Sequence, residues 1–501
     1  MIYCNAYKNS NIFLIGVLLI IYLLSVILLI INSNNPDFIY FTKQNFINIA
    51  SLIIFSITLY LCNISLKYFS LCLIFILLSF PSSINNFSPS ILISSIIDVK
   101  QIHYPIITHI DFFLLFGIFR YKERQVTTTY IIWNIKTMLF FLLLLLLSIS
   151  LFVNIFLSDQ LSDLTIIVST SYHLRYLILL YLLFFNTKII NYGEQIFQGL
   201  FLSVAFLVLE SILYSYFFFN PLRLTSGSLR VNSFANILSA ISCYYTFLLI
   251  RKKISSKYFF LVPIILIVVL LTETRSAFFL FCIYLLIEVL KYLIRNFNLK
   301  TTLFVLISTI LLFFSLSYLS FSDRASLKYL KIEKIDFTQK ELSKIVVLKE
   351  NDFSKSLILR LNHFQTSLYM IRENPFFGIG PGLWNKYKSN YGSVENKIMD
   401  SHNDILAMAS QYGLIQGLII CLSIYFGPLL FLIKKRRILI KDKWDYLFII
   451  SLSMTLLGLT NAGIFKHQIF GFLSLIFIIS FFKGHIKQND LETNIIILKK
   501  R

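Results

Sequence analysis

The chain is short of charge. Only 14% of its 501 residues are Asp, Glu, Lys or Arg, against about 25% in an ordinary soluble domain. That is too little polar surface to cover a water-soluble particle of this length. Carboxylates are the scarcer sign, 24 against 45 Lys and Arg, for a formal net charge of +21. No acidic D-x-D loop, H-E-x-x-H pair or phosphate-loop signature occurs, so no metal site and no cofactor is expected. A cytosolic nucleotide-sugar enzyme would need a soluble Rossmann-like domain, and none is present. The six cysteines are Cys4, Cys62, Cys72, Cys243, Cys282 and Cys421. None forms a CxxC or Cys/His pattern, and most lie in apolar runs. They read as small buried hydrophobes, with no structural disulfide or zinc site.

What is abundant is apolar sequence. Hydrophobic residues make up 57% and the mean hydropathy is +0.77. A bilayer accepts apolar helices of about 20 residues, because a helix satisfies its own backbone hydrogen bonds. Runs such as 139–157 and 301–320 do not alternate, which excludes the strand pattern of a membrane barrel. The predicted spans lie near 12–31, 46–62, 68–80, 104–119, 138–157, 164–185, 196–219, 233–250, 258–272, 276–294, 302–320, 403–433, 446–463 and 467–482. The fold class is therefore all-α: a polytopic membrane bundle of about 12–14 transmembrane helices. The run 12–31 has no small-residue cleavage site and reads as an uncleaved first span,.

The excess positive charge sits in short clusters beside these runs. Examples are Arg120–Arg124, Arg251–Lys253, Lys434–Arg437 and Lys499–Arg501. With a cytoplasmic N-terminus, every loop after an even-numbered span is basic. This is the positive-inside pattern, and it accounts for the charge without a nucleic-acid partner. Both termini are then cytoplasmic, and the long loop 321–402 faces the outer side. The expected division is 1–320 for N-terminal spans, 321–402 for the loop, 403–485 for C-terminal spans and 486–501 for a basic cytoplasmic tail.

Within the loop, Leu361, Phe364, Leu368 and Ile371 recur at helical spacing, with Arg360, His363 and Ser367 on another face,. Asn374-Pro375 should end that helix. The glycine turn Gly378, Gly380 and Gly382 follows, where backbone freedom would let the chain approach a ligand,.

Positive charge on the outer side runs against the usual bias. The arginines are Arg223, Arg230, Arg275, Arg360 and Arg372. The planar fork of arginine suits phosphate oxygens, so a set of them at a membrane surface suggests a lipid-linked phosphate or diphosphate. Taken singly, each is equally a snorkelling or paired side chain, and Glu273 could pair with Arg275. His402 is the candidate for acid–base work, with Asp400 or Asp404 placed to orient it,. The plainer alternative is that Ser401 or Asn403 caps the next helix and His402 is incidental. His363 reads as structural. Asp111, Arg175 and Glu210 fall in or near apolar segments and stay unassigned.

These motifs resemble a family. Arg360, Asn374-Pro375-Phe376-Phe377-Gly378-Ile379-Gly380-Pro381-Gly382, Ser401-His402-Asn403-Asp404 and Gly413-Leu414-Ile415-Gln416-Gly417 follow the pattern of the O-antigen ligase and O-antigen polymerase superfamily. Thr274-Arg275-Ser276-Ala277 is similar to its serine–arginine element, with Thr for Ser. Arg223-Leu-Thr-Ser-Gly227 is similar to an upstream element whose continuation is degraded here. The resemblance covers roughly residues 220–425.

It implies a GT-C-like, metal-independent glycosyltransferase of the bacterial inner membrane, working on the periplasmic face. The donor is an undecaprenyl-diphosphate-linked glycan. The acceptor is another lipid-linked repeat unit, the polymerase reading taken first, or the lipid A core, the ligase reading. Other polysaccharide-assembly membrane proteins are its expected partners. In this reading Arg275, Arg360, Arg223 and Arg230 bind the diphosphate and His402 handles the acceptor proton. Gly378, Gly380, Gly382, Asn403 and Asp400 shape and orient the site. A flippase for the same lipid is the competing class.

Overall fold

The computed structural model describes residues 57–78, 108–122, 135–158, 160–218, 231–250, positions within 265–284, 352–393, 401–429, 446–459, 464–465 and 468–482. Among them there are helices and no strand. The principal helices are α1 (Leu66–Leu78), α2 (His109–Arg120), α3 (Ile135–Phe156), α4 (Leu161–Ser169), α5 (Tyr172–Asn186) and α6 (Gly193–Phe218). They continue with α7 (Val231–Ile250), α8 (Asp352–Glu373), the short α9 (Trp384–Tyr387), α10 (Asp404–Tyr412), α11 (Leu414–Cys421), α12 (Tyr446–Gly458) and α13 (Gln468–Phe482).

The chain divides into two compact units. The first holds α1–α5, the start of α6, and α13; the second holds α7–α12.

In the first unit, α2 begins with a capping box. The Thr108 hydroxyl accepts the Asp111 backbone N–H, and the Asp111 carboxylate accepts the Thr108 backbone N–H at 2.7 Å. Two orphan amides of the first turn are thereby satisfied. Phe69 on α1 stacks on Phe113 of α2, with ring centroids 4.5 Å apart. That contact needs Gly117 on α2, where any Cβ would collide with the Phe69 ring. Phe140 on α3 stacks with Tyr181 on α5 and meets Phe481 on α13. Such ring pairs contribute roughly 0.5–1.5 kcal/mol each beyond burial.

The stretch Ile166–Asn186, across the bend at Thr170–Ser171, is long and apolar enough to cross a membrane. The apolar parts of other described helices, such as Phe140–Phe156 and Gln468–Phe482, are shorter. Helices occupy many of the predicted spans. Spans 12–31, 302–320 and most of 276–294 lie outside the described residues.

In the second unit the largest departure from expectation falls at 403–433. The apolar run predicts one long span, but α10 and α11 are separate helices folded against each other. Gly413 joins them with φ +92, backbone that an L side chain rarely adopts. Gly417 on α11 lies so close to Met408 and Ala409 of α10 that a Cβ would overlap their backbone. The Cys421 thiol reaches the Asp404 carbonyl at 3.5 Å. The start of α10 therefore lies beside the end of α11. Hydropathy is blind to this reversal, since both arms of the hairpin are apolar.

Helix α8 ends at Glu373, just ahead of Asn374-Pro375, as the proline predicts,. Its buried face differs from the apolar stripe in the sequence. Asn362, His363, Thr366, Ser367 and Met370 are buried, whereas Leu368 is 56% exposed. The polar side of α8 faces the protein because it packs toward α10 and the residues around His402.

Candidate functional site

The glycine turn after α8 is fastened to the far end of α10. Ile379 N–H donates to the Ser410 carbonyl at 3.0 Å and Gly380 N–H to the Gln411 carbonyl at 3.2 Å. Gly382 N–H donates to the Gln411 side-chain oxygen at 2.7 Å, and Leu414 N–H to the Pro375 carbonyl at 2.8 Å. Gly378, Gly380 and Gly382 all have positive φ. A Cβ on Gly378 would strike the Gln411 backbone, and one on Gly413 the Phe376 carbonyl. The sequence suggested that these glycines let backbone approach a ligand. What they permit here is close contact with the chain's own α10. The N–H groups of Ile379, Gly380 and Gly382 are spent on that contact, so the turn is a buttress.

This buttress fixes α8 against α10, and the chemistry-bearing side chains sit on the faces so joined. Arg360 and His363 are one turn apart on α8, so they share a face. His363 is fully buried. Its ring lies flat against that of His402, with centroids 5.5 Å apart and planes 9° from parallel. Trp384 packs edge-on against His363 at 5.3 Å. The Trp384 indole N–H donates to the Ser367 hydroxyl at 3.0 Å, and that hydroxyl donates to the His363 carbonyl at 2.9 Å. The Lys388 ammonium lies 5.9 Å from the Trp384 ring centre. The result is a ladder: ammonium, indole, buried imidazole, half-buried imidazole.

Arg360 is half-buried, and burial lowers its hold on its proton relative to a free arginine. Among the described residues no carboxylate or hydrogen-bond acceptor pairs with its guanidinium. A partly desolvated cation without a counter-charge is expensive. Arg360 is therefore the candidate anion contact among the described residues.

His402 has φ +57 and is the one non-glycine with positive φ among the described residues. That backbone costs on the order of 1 kcal/mol. The bonds on either side hold it. The Ser401 hydroxyl donates across His402 to the Asn403 carbonyl at 2.9 Å. Asn403 caps α10, its side-chain oxygen accepting the Leu406 N–H at 3.0 Å, and its amide donates to the Leu459 carbonyl at 2.9 Å. The Asn403 cap that the sequence offered is present. Asp404 serves the frame of the hairpin: its carboxylate accepts the Tyr425 hydroxyl and, at 2.9 Å, the Ile464 N–H.

The structure places His402 and Asn403 at the start of α10 and the glycine turn at its end, with Arg360 one turn along α8 from the His363 ring that stacks on His402. Arg223, Arg230, Arg275 and Asp400 lie outside the described residues. Sequence reasoning passed over Trp384, Gln411 and the position of His363. The one available signal was the i, i+3, i+7 spacing of Arg360, His363 and Ser367.

Residues 259–422, which include α8 through α11, match the family model described as O-antigen ligase. Over that segment the match supports the O-antigen ligase/polymerase superfamily, whose members are membrane proteins. The matched segment is less than half of the chain. No curated protein matches the sequence.

Proposed function

We propose that this protein is a glycosyltransferase of the bacterial inner membrane that moves a glycan from a polyprenyl-diphosphate carrier to an acceptor hydroxyl on the periplasmic face. The observation that carries the reading is Arg360: a half-buried guanidinium with no acidic partner among the described residues, one turn from the histidine on which His402 stacks. The O-antigen ligase match over 259–422 supports the same reaction class.

In the reaction the acceptor oxygen attacks the anomeric carbon of the donor. The bond from that carbon to the diphosphate oxygen breaks, and the diphosphate leaves with the electron pair. Arg360 faces the charge that develops there. Arg275, Arg223 and Arg230 complete the anion site in this proposal, standing where a metal ion would otherwise serve. His402 takes the acceptor's proton as the new bond forms. The acceptor is read first as a second lipid-linked repeat unit, which makes the protein a polysaccharide polymerase. In a second reading, equally compatible with the family match, the acceptor is the lipid A core and the reaction is ligation.

The test is transfer by purified protein in proteoliposomes supplied with lipid-linked donor. R360A and H402A should each lower turnover by about a hundredfold or more. Wild-type turnover in either variant sinks the assignment of that residue. Lipid movement without glycosidic bond formation indicates a flippase instead. Glycan analysis of a deletion strain separates the two acceptors. A single repeat capping lipid A marks a lost polymerase; bare lipid A beside accumulated lipid-linked polymer marks a lost ligase.

A further inference from the structure

His363 has no role in the reaction described above, yet its ring is the surface on which His402 rests. The two imidazoles stack with planes 9° from parallel, at a centroid distance of 5.5 Å. His363 is wholly buried, while His402 is half-buried and so keeps an open side. The plate is itself fixed from behind. Trp384 closes on its edge, and the Trp384–Ser367–His363 hydrogen-bond chain ties the indole to the backbone of α8. His402 is attached to a backbone in the left-handed region, held by the Ser401 and Asn403 bonds. That backbone sets where its side chain starts, and the ring of His363 limits where it can turn. A histidine side chain has only two torsions, so a fixed origin and one flat wall leave few orientations.

We propose that His363 is a positioning residue: it orients the His402 imidazole toward the acceptor hydroxyl, with Trp384 as the wedge that keeps His363 in place. The inference rests on the glycosyltransferase reading, in which His402 takes the acceptor proton. The same helix that offers Arg360 to the donor thereby aims the base at the acceptor. Donor binding and base orientation are set by two side chains one turn apart.

The experiment is a double-mutant cycle on transfer by the full-length protein in proteoliposomes, read under single-turnover conditions with labelled lipid-linked donor. H363A removes the plate, and H363F restores a flat ring of similar size. Misplacing a catalytic group by about 1 Å costs up to a hundredfold. H363A should therefore slow transfer roughly ten- to a hundredfold in the wild-type background, with donor KM changed less than about threefold. H363F should recover most of that loss. In the H402A background H363A should have almost no further effect, since there is no ring left to aim.

Wild-type turnover in H363A overturns the inference. So does an equal loss in both backgrounds, which would mark a general packing defect. So does a collapse of H363F alongside H363A, which would show that the ring nitrogens matter and the flat surface does not. Any of these leaves the wider reading standing provided H402A itself is impaired. Undiminished transfer by H402A overturns both.

Discussion

Arg175 meets Asp111 side-on, with its Nε and Nη2 groups each 3.3 Å from a different carboxylate oxygen. The two residues lie 64 positions apart and join the first turn of α5 to the first turn of α2. Thr108 donates to the same carboxylate through its N–H and its hydroxyl, and Tyr176 touches the Thr108 hydroxyl at 2.8 Å. Asp111 is buried, and the Arg175 side chain is 26% exposed. Breaking one member of a buried pair costs about 3–5 kcal/mol, whereas replacing both by apolar groups costs far less. D111L or R175M alone should therefore lower the melting temperature of the solubilised protein substantially, and the double variant D111L/R175M should recover much of the loss. Additive losses in the double variant would show that the pair is not coupled.

The reversal at Gly413 sets a second expectation. Its φ of +92 and the carbonyl of Phe376 leave no room for a side chain. G413A should cost at least about 1–3 kcal/mol from backbone strain alone. It should also loosen the Pro375–Gly382 turn, which hangs on Leu414 and Gln411. Limited proteolysis of membranes should then cut at the turn in G413A and spare the wild type. Equal resistance would mean that the hairpin tolerates the change.

Asn403 is expected to act through the helix it caps. N403D and N403S keep an N-cap acceptor, so they should hold α10 to within about 1 kcal/mol. N403A should lose that much or more, together with turnover. If all three variants are equally inactive, the amide contacts substrate directly and capping is secondary.

An arginine-built diphosphate site makes a fourth expectation. Transfer should survive EDTA at concentrations that strip divalent cations, and R360K should remain impaired because a lysine cannot reproduce the guanidinium fork. Loss of turnover in EDTA, restored by Mg²⁺, would move charge neutralisation from the arginines to a metal.

Much of this arrangement was legible before any coordinates. The charge deficit implied helices, Pro375 marked the end of α8, and Arg360, His402 and Asn403 stood out by residue type and motif. Other features were not. The fold-back at Gly413 is invisible to hydropathy, because a hairpin of two apolar helices and one span have the same profile. The buried side of α8 could not be read from the apolar spacing, since Leu368 is exposed while Asn362, His363 and Ser367 face inward. The stack of His363 on His402 joins positions 39 residues apart, and nothing in the order of residues encodes a ring angle. Nor does the spacing of Gly378, Gly380 and Gly382 reveal that Gly378 lies against the Gln411 backbone of α10.

The fastening of the Pro375–Gly382 turn to Gln411 and Leu414 also bears on how the protein is made. A growing chain emerges from its N-terminal end. Arg360, His363 and Trp384 are all synthesised before His402 and the helix that follows it, and that helix precedes the Gly413 bend that receives the turn. Until Leu414 has left the ribosome, the turn has no anchor and the histidines have no common frame. A truncated or stalled product ending before this point would contain Arg360 and both histidines yet lack the clamp that joins them. The frame that holds the two histidines together is thus completed only after the Gly413 bend has been made.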